Sequence, residues 1–507
     1  MQFGLVLHNV WAMKILFVLS DLFFNEPLGV MGLAATGKQG GHQVRLLSLK
    51  KHDLAKNLKT FHPDLVAYSA MTPEMKLFKK ADAVVRAWIK AGNPGCLRVM
   101  GGAHATYFPE VLGQMELDAV CVGEGDRALG AIIRAVENKL PIRGIPNVAG
   151  KTEAVSSIKK ELITNLDELP FVDRESFYQA APVFKHIGLR SIITSRGCPH
   201  RCAYCHNHVF NKMFAGCGKT VRRKSAGYIM AELSHVIRAH PPCRLIRFAD
   251  DSFASTVDGW LEDFLERYAA QISLPFYCLM RPDAMTADMA RLLSSHGCVA
   301  VGMSIETGDA ARRKNLLHRD LPDEVIVSAF ENARRYNIKT KANTILALPG
   351  SRLEDDFYSL AFAKSLKASV PTFSIFAPLP GTGLAEYAVQ QGYLQEPYVP
   401  NDFMEQTILG GYSQKEKNAQ LNLAFLGPLL CALPGFLEPL VPALARVRPN
   451  AVFKLAGSAF LVAKLGLSAF PGVAPKNPLA VARLFAESLK SINPKKKRGE
   501  RGISPEG

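Results

Sequence analysis

The chain of 507 residues carries 61 Lys and Arg against 45 Asp and Glu, a formal net charge of +16, with 48% hydrophobic and 21% charged residues. This composition excludes an intrinsically disordered, collagen-like or wholly membrane-embedded protein, and at roughly 150 residues per domain the length implies about three domains. The positive excess alone fits nucleic acid, an anionic membrane surface or a merely solubilising surface. No recognised nucleic-acid-binding fold accompanies it and the basic residues are scattered apart from the tail, so no nucleic-acid partner is expected. Ten cysteines, unevenly spaced, are too few for a secreted disulfide scaffold, and the first residues lack the pattern of a secretory signal. A cytoplasmic location follows as the expectation.

In chain order, residues 1–12 read as an extension, with Met13 as an alternative start. From residue 13 to about 145, short apolar runs alternate with helical stretches, the pattern of a parallel sheet covered by helices. Strands are predicted at Ile15 to Ser20, Gln43 to Ser48, Leu65 to Ser69, Arg98 to Gly101 and Ala119 to Val122. Small-residue loops follow them: Pro27-Leu28-Gly29, Ser69-Ala70-Met71-Thr72, Gly101-Gly102-Ala103-His104 and Gly123-Glu124-Gly125. Any one such loop is explained by a tight turn. Four at the carboxyl ends of strands in one sheet define a ligand crevice, so this is read as a cofactor-binding domain.

Residues 146–185, with Pro170 and Pro182, read as a linker. A second alternating series over 186–395 predicts strands at Leu189 to Thr194, Leu245 to Ala249, Phe276 to Met280, Val299 to Ile305, Thr340 to Leu346 and Phe373 to Phe376. Helices are predicted at Tyr228 to Ala239, Val257 to Ala270, Ala287 to Ser295, Asp323 to Tyr336 and Leu353 to Leu366. Six β/α units are too few for a closed eight-stranded barrel, which predicts a partial barrel with catalytic groups at strand C-termini.

Residues 396–482 read as a helical C-terminal domain. Leu421 to Ala445 is apolar but broken by four prolines, so it is not one spanning helix. The segment 421–470 is read either as short helices packed on the barrel or as a peripheral membrane contact or wall for a greasy substrate. Residues 483–507 form a basic tail expected to be disordered.

Cys198, Cys202 and Cys205 lie in the first strand-to-helix loop of the barrel. Three thiolates in eight residues suit zinc or an iron–sulfur cluster. His200, His206 or His208 could complete a zinc site, whereas a four-iron cluster on three cysteines leaves one iron open to chelate a ligand.

The C-x-x-x-C-x-x-C spacing, with Tyr204 before the third cysteine, resembles the signature of the radical S-adenosylmethionine superfamily. That resemblance implies a [4Fe-4S] cluster on the three cysteines, S-adenosyl-L-methionine at its open iron, and a reductant such as flavodoxin or ferredoxin. Asp250 and Asp251 resemble the family's second-strand motif near the methionine moiety, and Arg281, ending the third strand, is similarly placed for its carboxylate. Glu306 in Gly302-Met303-Ser304-Ile305-Glu306 resembles the fourth-strand ribose ligand, and Ile345 to Gly350 the segment beside adenine. Each has a plainer reading: Asp250 and Asp251 as helix caps, Glu306 as a partner of Arg281 or Arg312.

The N-terminal loops in turn resemble those of the cobalamin-binding domain fused ahead of many such enzymes. The residues carrying this likeness are Leu28, Gly29, Ser69, Met71, Thr72, Gly101, Gly102, His104, Gly123 and Glu124. The Asp-x-His-x-x-Gly motif of base-off, His-on proteins is lacking. The expectation is therefore cobalt without a protein histidine ligand, its lower face against the Ser69-to-Glu74 loop including Met71. The implied fold class is α/β: a Rossmann-like (flavodoxin-like) cobalamin-binding domain, a partial (β/α)6 TIM-type barrel and a mainly helical C-terminal region. The resemblance, which extends to the anaerobic magnesium-protoporphyrin ester cyclases, implies methylation of an unactivated carbon through a 5′-deoxyadenosyl radical and methylcobalamin. Cyclisation, rearrangement or hydroxylation, with or without cobalamin, is the alternative. The substrate is a small or lipid-like molecule, and no residue of the chain itself stands out as catalytic.

Overall fold

A computed structural model describes residues 12–22, 26–469 and 472–473. Residues 1–11 and the basic tail lie outside the described residues. The first sheet is built from β1 (Lys14–Leu19), β2 (Gln43–Ser48), β3 (Leu65–Ser69), β4 (Leu97–Gly101), β5 (Ala119–Cys121) and β6 (Val148–Gly150), in the order β2-β1-β3-β4-β5-β6. Its first five strands are parallel. In β1, Ile15, Phe17 and Leu19 pack with the helices Leu28–Gln39 and Asp126–Glu137, while Leu16 and Val18 join the core on the opposite face. Burial on both faces explains why the strand reads as a continuous apolar run. The order reverses between β1 and β3, which opens a crevice at the strand C-termini.

The stretch read as a linker is more than a connection. Val148–Gly150 hydrogen-bonds antiparallel to β5 and so completes the sheet. Three residues with no alternation are too short to register as a strand in sequence.

The second sheet runs in chain order through β7 (Leu189–Ile192), β10 (Leu245–Phe248), β11 (Phe276–Met280), β12 (Cys298–Glu306), β13 (Lys339–Leu346) and β14 (Val370–Ile375). All neighbours are parallel. The first and last strands are not paired among the described residues, so the barrel is open on one side. Between β7 and β10 lies a two-residue antiparallel pair, β8 (Ser195–Arg196) with β9 (Arg222–Arg223). Helices start where the sequence supplies a cap: Ser225, Asp258 and Thr286 each accept a hydrogen bond from a first-turn amide. The outward faces of the strands meet these helices in one core, with Phe248 against Phe253, Phe264, Tyr268 and Phe276.

The C-terminal segment divides into a buried and an exposed part. The helix Gln414–Cys431, started by a Ser413–Glu416 capping box, buries most of its length despite the internal Pro428. Gly427 lies against the Phe373 ring and Gly457 of the helix Ala451–Lys464 against the Phe425 backbone; a Cβ at either position would clash. Farther on, Leu461, Leu465 and Val473 pack with Leu245, Tyr277, Ala300 and Val370 at the N-terminal ends of the barrel strands. The segment thereby fills the lower mouth of the barrel. Among the described residues, no helix is long and apolar enough to cross a membrane.

One buried polar link ties this segment to the barrel. Asp356 accepts the Ala347 amide at 3.0 Å and the Gln420 side chain at 2.9 Å. Burial raises its pKa to about 7, outweighing these hydrogen bonds. Because the folded-state pKa lies above the unfolded one, its contribution to stability is complete at low pH and is lost as pH rises through about 7. Asp356→Asn keeps the acceptor toward Ala347 and can donate to the unpartnered Gln420 Oε1. Between pH 6 and 8 the wild type should lose on the order of 1 kcal/mol that the variant retains. Urea midpoints across that range check this; parallel curves would contradict it.

Candidate active site

The C-terminal edges of the two sheets face one another, and arginines hold them there. Glu26, just ahead of the helix Leu28–Gln39, accepts from Arg174 Nη1 at 2.5 Å and from the Ser191 amide of β7 at 2.6 Å. Arg174 also donates to the Ser191 carbonyl at 2.5 Å. On the other flank, Glu124 in the loop after β5 receives Arg222 at 2.8 and 3.0 Å, the Ile163 amide at 2.8 Å and Arg196 at 3.2 Å. Arg196 grips Asp126 bidentately at 2.9 and 3.0 Å. Burial pushes the Glu124 carboxyl up, but Arg222 and Arg196 outweigh it and hold it below its ordinary value.

Between these clamps lies a cavity of about 460 Å³. One wall is Leu28, Gly29, Ser69, Gly101, Gly102, Gly123 and Glu124; the other includes Ser195, Gly197, Asn207, Phe210 and Asp251 from the barrel. Two glycines shape it by necessity. Gly102 (φ +86°) leaves no room for a Cβ against the Ala70 backbone, and Gly123 (φ +80°) lies under the Phe214 ring.

The loop carrying Cys198, Cys202 and Cys205 runs from this cavity to the helix His206–Met213. It is pinned by Asn211 Nδ2 to the Cys198 carbonyl at 2.9 Å, by Ala203 to Leu317 at 3.0 Å and by Leu384 to Ala203 at 2.9 Å. The Tyr107 ring stacks on His206 at 4.0 Å between centroids and donates to its carbonyl at 3.1 Å, tying the first domain to the residue after Cys205. All three thiols are free and act electrostatically on one another. Burial raises Cys198 and pushes Cys205 to about 11, so in the bare protein both thiols are protonated at neutral pH and metal binding must displace their protons. No group of three or more His, Cys, Asp or Glu among the described residues is gathered to hold a single metal ion. A four-iron cluster asks something different, one thiolate for each of three irons, and three soft donors on one anchored loop fit it.

At the barrel mouth, Tyr204 donates to Glu306 Oε1 at 2.5 Å, and Arg319 approaches both, at 3.2 Å from Tyr204 Oη and 3.2 Å from the carboxylate. Burial and the neighbouring Glu306 push the Tyr204 hydroxyl well above its ordinary pKa. Glu306 sits at φ +64°, and its other oxygen is buried without a hydrogen-bond partner. Its ion-pair partner is Arg319, not Arg281 or Arg312. Arg281 instead pairs with Asp283 at 2.9 and 3.0 Å.

Other expected positions lie apart from the cavity. Asp250 is fully buried and receives the amides and hydroxyls of Thr194 and Ser195 at 2.6–3.0 Å, so it shapes the end of β7 rather than facing the cavity or capping a helix; Asp258 does the capping. Burial raises its pKa to about 6 against those hydrogen bonds. Asp251 does line the cavity. Met71 is 56% exposed, and neither it, Thr72 nor His104 lines the cavity. His104 Nδ1 and Thr72 Oγ1 are 3.2 Å apart, and burial, with Lys79 nearby, lowers the histidine to about 4, so it is neutral. Arg196, Arg222, Arg319 and Tyr107 escaped the sequence reading because the partners Asp126, Glu124, Tyr204 and His206 are 70 to 115 residues away and no local spacing marks them.

A Rossmann-like sheet faces the mouth of an open barrel across one cavity, with three thiols on the barrel's first loop, an arrangement with room for a ligand of each domain. Residues 17–133 match the B12 binding domain and residues 192–361 the Radical SAM superfamily. A protein named an uncharacterized methyltransferase from Pyrococcus horikoshii is 27% identical over 73% of this chain and 79% of its own length. A cytidylyl-2-hydroxyethylphosphonate methyltransferase from Streptomyces wedmorensis is 25% identical over 73% of this chain and 78% of its own. Among solved structures, the cobalamin-dependent S-adenosylmethionine radical enzyme OxsB, with aqua-cobalamin and S-adenosylmethionine bound, superposes with a TM-score of 0.67 at 14% identity, covering 98% of this chain and 82% of that one. The chain belongs to the radical S-adenosylmethionine enzymes that carry a B12-binding domain, and its cofactors are a [4Fe-4S] cluster, S-adenosylmethionine and cobalamin.

The Glu124–Arg222 clamp yields a direct expectation. Arg222→Met leaves a buried carboxylate facing only Arg196 and the Ile163 amide, a change that typically costs about 3–5 kcal/mol. Thermal unfolding should come earlier and cobalamin retention through gel filtration should fall. Unchanged retention would mean that the clamp does not shape the cavity.

Proposed function

We propose that the enzyme methylates an unactivated carbon of a small or lipid-like substrate. The observation that carries this reading is the single cavity bounded on one side by the glycine-lined edge of the B12-binding sheet and on the other by the barrel's first loop. Bound together, the cofactors supply a carbon-centred radical and a transferable methyl group. The chain's own residues position and shield. Cys198, Cys202 and Cys205 hold the cluster. Glu306, buttressed by Tyr204 and Arg319, offers its unpartnered oxygen to the ribose of S-adenosylmethionine, while Asp251 and Arg281 face its methionine end. Leu28, Gly29, Ser69, Gly101, Gly102 and Gly123 would cradle the corrin, and His104, which with Met71 and Thr72 does not line that cavity, would supply no nitrogen ligand. Apolar Leu28 and Phe210 exclude water, and the arginine clamps keep the reacting centres in register.

Anaerobically reconstituted protein should show brown iron–sulfur absorbance and release 5′-deoxyadenosine when given a reductant. Cys202→Ala should reduce that release to background; a variant that retains it would sink the cluster assignment. With a methyl-deuterated cosubstrate and the true substrate, label should appear in product. Release of 5′-deoxyadenosine without labelled product would favour the cyclisation, rearrangement or hydroxylation alternative.

We also infer that the protein touches membranes peripherally, through the exposed part of the C-terminal segment and not through the buried 421–431 stretch. Phe436 is 79% and Val452 70% exposed, Leu440 and Leu455 are about half exposed, and exposed Arg446 and Arg448 fall between them in the sequence. Apolar side chains flanked by cations suit an anionic bilayer surface. Wild-type protein should sediment with vesicles containing phosphatidylglycerol, and the Phe436→Ser, Val452→Ser double variant should stay largely in the supernatant. Wild-type protein that never sediments would end this reading.

A further inference from the structure

The helix His206–Met213 separates two different hollows. Asn207 and Phe210 face the cavity shared with the B12-binding sheet. His208, Asn211 and Lys212, on the opposite side of the same helix, line a second hollow of about 690 Å³. Its other walls are Pro199 and Arg201, within the cysteine loop itself, and the 215–221 segment with Lys219. Arg201, Lys212 and Lys219 are exposed, and no acidic side chain lines this hollow.

The second hollow is also one residue layer from the cysteines. Pro199 follows Cys198 and Arg201 precedes Cys202 in sequence. Asn211 bonds the Cys198 carbonyl at 2.9 Å, and the His208 amide bonds the Cys205 carbonyl at 3.2 Å. Substrate chemistry is served by the first cavity, yet the cluster also has to receive an electron from outside. The short side of the cysteine loop away from that cavity is lined with cations.

We propose that this cationic hollow is the docking face for the enzyme's electron donor, a small one-electron carrier protein with an acidic surface, steered by Arg201, Lys212 and Lys219. The proposal rests on the cluster reading of Cys198, Cys202 and Cys205. In the transfer the reduced carrier loses one electron and the oxidised cluster gains it, with no proton or group moved. Placing the donor here keeps it off the substrate cavity, so electron delivery does not require that cavity to open. Charge complementarity of this kind acts mainly on association rate and weakens with salt.

The test follows bleaching of the iron–sulfur absorbance in the full-length, reconstituted protein after stopped-flow mixing. Reduced flavodoxin serves as the acidic carrier, and reduced methyl viologen as a small cationic donor that needs no docking face. For the Lys212→Glu, Lys219→Glu double variant, bleaching by flavodoxin should slow about tenfold or more, while bleaching by methyl viologen should not slow. The milder Lys212→Gln, Lys219→Gln pair should fall between, and raising salt should slow the wild type with flavodoxin alone. Carbodiimide cross-linking should join flavodoxin carboxylates to Lys212 or Lys219, independently of turnover. Equal slowing with both donors, or no slowing with flavodoxin, would overturn the proposal and leave the hollow to an anionic small molecule or to the surface. A wild type without iron–sulfur absorbance would instead overturn the cluster reading itself, and this proposal with it.

Discussion

Everything at the site depends on buried carboxylates held by arginines across the seam between the two sheets. Glu26 with Arg174 joins the crevice side of the first sheet to β7, and Glu124 and Asp126 with Arg222 and Arg196 join its far side to the β8–β9 pair. Such pairs contribute little net stability, because desolvation consumes most of the Coulomb gain. Their value is geometric. A bidentate guanidinium–carboxylate contact fixes distance and direction together. Arg222 with Glu124 and Arg196 with Asp126 do this on one flank, and on the other Glu26 is shared between Arg174 and the Ser191 amide, so the domains have little freedom to slide. Backbone amides from Ser191 and Ile163 complete the carboxylates, so each clamp grips the main chain as well as a side chain.

Much of this was legible in the sequence. The apolar runs of β1 to β5 and of the six barrel strands stand out because both faces are buried, and glycine-rich loops mark the strand ends where a ligand must approach backbone. The cysteine spacing is local, so it is visible without a fold. What escaped was non-local. Arg222 lies in a two-residue strand with no pattern, and nothing near it announces Glu124, 98 residues earlier. Asp250 carries a motif-like position, yet burial and four hydrogen bonds from Thr194 and Ser195, where β7 leads into β8, make it a support for its neighbours. Glu306 was visible as a carboxylate at a strand end, but its partner Arg319 comes from a loop beyond the next helix. Pattern reading finds groups that act where they stand and misses those that act on something far along the chain.

The helix His206–Met213 gathers several roles because of where the cysteine loop leaves it. Its start is stacked on Tyr107 of the first domain, one face walls the cofactor cavity, and the opposite face supports the Cys198 carbonyl beneath a cationic surface. None of these contacts needs a long helix. Eight residues suffice because both ends are anchored, by Tyr107 at one and by Phe214 packed over Gly123 at the other.

The apolar stopper of Leu461, Leu465 and Val473 in the lower barrel has a consequence for turnover. With that end filled, the described residues leave the lumen open toward the B12-binding sheet and along the flank between β7 and β14. Cosubstrate and product therefore exchange past the arginine-clamped seam or the open flank, not from beneath the strands.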